Sequence, residues 1–104
     1  MGESAEHLST PAICRAIRSG RLLTFRYGDR RHVVEPYALG VGRRGRALLR
    51  AYDVWGSDTT RRWRLFEVER IDGLRTAAES VSARRPGYGT RDPGMNRVWV
   101  AREA

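Results

Sequence analysis

The chain has 104 residues, 40% of them hydrophobic, with twenty basic residues, all arginine, against twelve acidic ones, for a formal net charge of +8 and a pI near 11.1. This length gives one domain with a modest core, the apolar fraction excludes a disordered chain, and the charge favours polyanions, nucleic acid before acidic membrane. One cysteine, Cys14, and two distant histidines, His7 and His32, offer no disulfide framework and no metal-ligand spacing.

No apolar run reaches the roughly eighteen residues of a membrane span, and the N-terminus lacks a basic-then-apolar leader. A cytoplasmic protein without membrane contact is expected. Arginine in place of lysine fits GC-rich coding, but the excess of positive charge does not follow from codon usage. Arginine also brings its own chemistry, because its planar fork pairs with phosphate bidentately and stacks on bases.

In chain order, residues 1–9 read as a flexible tail. Thr10 is placed to cap a helix whose first turn holds Pro11. Ile13, Ala16 and Ile17 then recur at helical spacing, and Gly20 suits a left-handed stop, which predicts a helix over 10–19. Alternation predicts a strand through Leu23, Phe25 and Tyr27, ended by Gly28-Asp29. His32 to Val41 reads as a second strand, with Val33, Glu35, Tyr37 and Leu39 on one face and Val34, Pro36 and Ala38 on the other. Pro36 marks an edge or a bulge.

Gly40 to Gly45 reads as a turn, Arg46 to Val54 as the third strand and Arg61 to Glu67 as the fourth. Asp72-Gly73 signals another turn before a short fifth strand over Leu74 to Ala78. Strands at this spacing imply a small barrel or sandwich with the helix over one open end. Residues 81–104 read as a loop followed by a last strand at Val98-Trp99-Val100, with Trp99 packing against the barrel. The barrel domain is therefore placed at 10–80.

Gly40-Val41-Gly42-Arg43-Arg44-Gly45 matches G-x-G-x-x-G, but a strand follows it where a dinucleotide fingerprint needs a helix. A hairpin loop displaying Arg43 and Arg44 is the better reading, and no cofactor is expected. For catalysis there is no G-x-S-x-G motif and no paired carboxylates, and His32 has no sequence-near acid or nucleophile. A non-enzyme is expected. The arginines fall into three groups: Arg30 and Arg31; Arg43, Arg44, Arg46 and Arg50; and Arg61, Arg62, Arg64 and Arg70. Trp63 and Phe66 interleave with the last group. Along that strand Trp63 and Leu65 share one face and Arg62, Arg64 and Phe66 the other, so Trp63 also suits a core position.

Four segments in register resemble one family. They are Ile13-Cys14-Arg15-Ala16-Ile17, Leu23-Thr24-Phe25-Arg26-Tyr27, Val34-Glu35-Pro36 and Arg64-Leu65-Phe66-Glu67-Val68-Glu69-Arg70-Ile71. In order and spacing they resemble the WYL domain over about residues 10–80. The tripeptide that names the family stands here as Ala47-Leu48-Leu49, and the second arginine of the closing motif is Glu67.

The resemblance implies a mainly β fold, a small SH3- or Sm-like five-stranded barrel with an N-terminal helix. It also implies a sensor or accessory module of bacterial regulators and defence systems, with single-stranded nucleic acid or nucleotide-like effectors. Family regulators usually carry a winged helix-turn-helix before this domain and a further domain after it, so a free-standing effector-binding module is expected here. The expected binding residues are Arg62, Arg64 and Arg70 on phosphate or base edges, Arg31 and Arg50 lining the same groove, and Tyr27 or Trp63 as a stacking face. The alternative is a protein-interaction or oligomerisation module that senses a small anionic ligand and modulates a partner regulator, with the Val98-Trp99-Val100 edge open to pairing.

Overall fold

The computed structural model describes residues 5–55, 62–80 and 94–102. One helix, α1 (Ala5–Ser19), precedes β1 (Arg21–Tyr27), β2 (Arg30–Val41), a short 3-10 turn η1 (Arg43–Gly45), β3 (Ala47–Trp55), β4 (Arg62–Glu67), a second 3-10 turn η2 (Val68–Arg70), β5 (Ile71–Ser80) and β6 (Arg97–Ala101). The helix starts at Ala5 rather than at the Thr10 cap. Ala5, Glu6 and Leu8 are good helix formers, and Pro11 sits inside the helix, where it forfeits one backbone hydrogen bond. Ile13, Ala16 and Ile17 form its buried stripe, as the spacing predicts.

The sheet runs in the order β4-β3-β2-β1-β5, with β6 added to β2. Every pairing is antiparallel. The fold is thus mainly β, one six-stranded sheet with one helix on it. Among the described residues no pairing joins the outer strands β4 and β5, so the sheet is open and a closed five-stranded barrel is not seen. The two outer strands are linked through η2, which touches both α1 and β3.

The core lies on one face of the sheet. Leu23 and Phe25 of β1, Val34 and Leu39 of β2, Leu49 and Ala51 of β3 and Phe66 of β4 pack there with the helix stripe, Val68 and Ile71. The faces of β2 differ from simple alternation. Val34, Pro36 and Leu39 lie opposite Asp53, Ala51 and Leu49 of β3, and a bulge between Pro36 and Ala38 holds Tyr37 as the extra residue. Alternation therefore inverts at Tyr37, and Leu39 joins the face of Val34.

The fifth strand is also longer than Leu74–Ala78. Asp72-Gly73 is not a turn but part of the strand. Gly73 has φ +64, and the β1–β5 register shifts where Asp72 and Arg75 meet Arg26 and Thr24. A glycine at positive φ makes a bulge without breaking the ladder.

The last strand forms as expected, but Trp99 is not the residue it buries: Trp99 is 48% exposed. The half-buried residues of β6 are Val98 and Val100, of opposite parity to Trp99. Residues 81–93, read as a loop, lie outside the described residues. The chain crosses β2 closely at Gly40, where a Cβ would overlap the Arg97 carbonyl oxygen and come 2.8 Å from Met95 Sδ. Backbone cannot yield there as a side chain can. Gly40→Ala is expected to cost about 2 kcal/mol by overpacking and to speed amide exchange in residues 97–101, as read by urea denaturation and hydrogen exchange.

Candidate nucleic-acid interface

The chemistry gathers at the β4 edge of the sheet. Cross-strand register sets two faces there. Leu49, Ala51 and Asp53 of β3 face Phe66, Arg64 and Arg62 of β4, while Leu48, Arg50 and Tyr52 face Glu67, Leu65 and Trp63. The first set belongs to the core face, the second to the outer face.

A buried carboxylate organises the core-face set. Asp53 is 0% exposed and His32 5%. His32 Nδ1 lies 3.0 Å from Asp53 Oδ2. A carboxylate only accepts, so Nδ1 carries the hydrogen and Nε2 is the ring's other nitrogen. Arg64 Nε lies 2.7 Å from the same oxygen, yet its N–H does not meet hydrogen-bond geometry. The distance is that of a close ion pair, and ionic attraction tolerates the misalignment. Asp53 Oδ1 is buried with no hydrogen-bond partner among the described residues.

Aromatic rings surround this group. Phe66 meets Phe25 and Tyr27 edge-on, each at 5.0 Å between centroids, and His32 at 5.3 Å. The Tyr27 hydroxyl accepts the Glu67 N–H at 2.9 Å. The Arg70 guanidinium carbon sits 5.4 Å from the Tyr27 ring centroid, a cation–π distance. Tyr27, His32, Trp63, Arg64, Leu65 and Phe66 line a concavity of about 310 Å³.

Three of the expected binding residues, Tyr27, Trp63 and Arg64, thus share one concavity, and Arg70 stands over Tyr27. Trp63 is also a packing residue, met by Tyr37 at 4.8 Å and Tyr52 at 5.3 Å. The fold does not bring Arg50 and Arg31 to the same place. Arg50 pairs with Leu65 on the outer face. Arg31 pairs with Arg26, one position from the Phe25–His32 pair, and so also lies on the outer face. The Arg62 backbone is opposite Asp53, while its side chain lies outside the described residues.

Sequence reasoning missed the His32–Asp53 pair. A signal existed: both are polar residues at core-face positions of otherwise apolar strands. Among the described residues no group of three histidines, cysteines or carboxylates comes together, and no helix is long and apolar enough to cross a membrane.

A model of the WYL domain matches residues 9–76. The chain belongs to the WYL domain family. No curated protein and no solved structure matches it. WYL domains are generally associated with regulatory proteins that sense nucleic acids or ligands, and are typically binding modules rather than enzymes. In this WYL domain the tripeptide positions split. Ala47 and Leu49 are core residues, whereas Leu48 is half-buried on the outer face. Of the closing motif, Arg64 and Arg70 flank the concavity, Phe66 is its aromatic centre, and Glu67 braces Tyr27 from the backbone.

Removing one partner of a buried ion pair leaves the other charge uncompensated. Asp53→Ala is expected to cost about 3 kcal/mol on this ground. The Asp53→Ala/Arg64→Ala double variant should lose less than the sum of its singles, with a coupling of about 1 kcal/mol or more in a urea-denaturation cycle.

Proposed function

We propose that this WYL domain is a non-enzymatic binding module of a bacterial regulatory or defence system, acting in the cytoplasm on an SH3- or Sm-like scaffold. It binds single-stranded nucleic acid or a nucleotide-like anionic ligand at the β4 edge. The observation that carries this reading is the concavity itself, with Tyr27 as a ring surface backed by the buried Phe66, Arg64 fixed by a buried carboxylate and Arg70 lying over Tyr27.

A single strand offers unstacked bases and a phosphate chain, and arginine beside an aromatic ring meets both. Duplex DNA suits the site less, because its bases are already stacked. Arg64 gives up its Nε side to Asp53 and is 24% exposed, which fixes the guanidinium before a ligand arrives. Preorganisation of this kind lowers the ordering cost of binding. Arg62 joins the same strand edge in this reading, and Arg31 and Arg50 contribute only to the general positive field.

A second reading rests on Trp99. A large exposed apolar residue on an added edge strand favours a protein-interaction or oligomerisation role, in which a small anionic ligand modulates a partner regulator. It predicts a salt-insensitive dimer by light scattering and no measurable binding of oligonucleotides.

The test is a salt titration of a labelled single-stranded oligonucleotide. Arg64→Lys is used because it keeps a positive charge beside Asp53 but removes the fork, and it is combined with Arg70→Ala. Affinity is expected to fall at least ten-fold, and the log–log salt slope to shrink by about 0.7 for each phosphate no longer neutralised. An unchanged affinity in a variant that melts like the wild type would sink the assignment.

A further inference from the structure

A larger concavity, about 650 Å³, shares Leu65 with the first, and of its charged lining only Arg70 enters the function proposed above. Arg43, Arg44, Arg46 and Arg70 stand around it, and Leu48 and Leu65 supply its apolar lining. Glu67 is the carboxylate in that lining. It lies 3.6 Å from Arg46 Nη1 and 3.9 Å from Arg70 Nη1, while Glu69 holds Arg46 at 2.8 Å. Arg46 and Arg70 are therefore braced by carboxylates. Arg43 and Arg44 are exposed and have no ion-pair or hydrogen-bond partner among the described residues.

The loop that presents these two arginines is built rather than slack. Gly42 N–H donates to the Arg46 carbonyl at 3.0 Å, and Gly45 N–H to the Gly42 carbonyl at 3.2 Å. Arg44 is the one non-glycine residue at positive φ among the described residues, at φ 67 and ψ 14. Glycine or asparagine takes that conformation readily, whereas arginine is strained in it. Strain held at an exposed cationic tip points to use of the side chain there.

The two concavities are continuous in their walls. Leu65 lines both, and Arg70 lines the larger one while covering Tyr27 of the smaller. We propose that the larger cleft is a second anion subsite for the same ligand, holding a phosphodiester next to the nucleotide ring seated at Tyr27. The ligand then wraps the β4 edge from the core face to the outer face, with apolar contact to Leu65 on the way. This inference rests on the function proposed above and names its ligand class: an oligonucleotide of two or more nucleotides rather than a mononucleotide.

The test compares a fluorescein-labelled thymidine 12-mer, a thymidine dinucleotide and thymidine 5′-monophosphate on the full chain, by anisotropy and competition. The variant is Arg43→Ala/Arg44→Gly. Glycine relieves the positive φ, so this variant is expected to melt no lower than the wild type, and weaker binding is then not a failure to fold. The 12-mer affinity should fall ten-fold or more, and its salt slope should shrink by about 1.4 for two phosphates released.

The wild type should favour the dinucleotide over the monophosphate by ten-fold or more, and the variant should lose that preference. If the wild type binds the 12-mer and the variant matches it in affinity and slope, the second subsite is overturned and the Tyr27 site stands. If the wild type binds no oligonucleotide, both fall.

Discussion

A fully buried carboxylate, Asp53, ties three strands together. It sits on β3, accepts from His32 on β2 and faces Arg64 on β4 across about one ion-pair distance. Burying a charge is costly unless partners compensate it. The pairing therefore fixes more than its own atoms: the β2–β3–β4 register must place all three side chains on the core face, or the charge is stranded. Its second oxygen has no hydrogen-bond partner among the described residues. What the carboxylate secures is orientation, of an imidazole and a guanidinium at the rim of a concavity.

That orientation matters because the rim is where the two faces of the sheet meet. β4 is an outer strand, so residues of opposite parity, Arg64 inside and Leu65 and Glu67 outside, are all reachable from one edge. The aromatic group of Phe25, Tyr27, His32 and Phe66 carries the core out to this edge without a break. The departures from the family pattern fall here as well. Leu48, at the middle of the tripeptide, gives the outer cleft an aliphatic wall, and Glu67 places a carboxylate between Arg46 and Arg70.

Much of this fold is legible in the sequence, and what is not has identifiable causes. Strand alternation and the Pro11-to-Gly20 pattern mark β1 to β4, β6 and the helix, since burial on one face imposes a period that residues record directly. Pro36 signals the bulge beside it, though not the inversion of faces that follows at Tyr37, and the bulge at Gly73 escapes because Asp-Gly looks like a turn. Trp99 misleads by size: its parity within β6, not its hydrophobicity, decides its exposure. Tyr27, Arg64 and Arg70, expected from the family motif to act together, do come together in space. His32 and Asp53 are neighbours only through the β2–β3 register, which the amino-acid order does not state. Arg50 illustrates the reverse error, since closeness in the chain to other arginines says nothing about the side of the sheet.

The twelve-residue β2 has a consequence of its own. Its first half pairs with β1 along one border, and along that same border its second half, Ala38 to Val41, pairs with β6. Asn96 and Arg102 extend the attachment with backbone bonds to Val41 and Tyr37. The region matching the family ends at residue 76, so this stretch of border is capped by a strand from beyond it. Stripped of β6, it would be a bare ledge of amides and carbonyls, ready to capture any extended peptide that tolerates the tight clearance over Gly40. β6 thus satisfies the amides and carbonyls of this stretch of border from within the same chain.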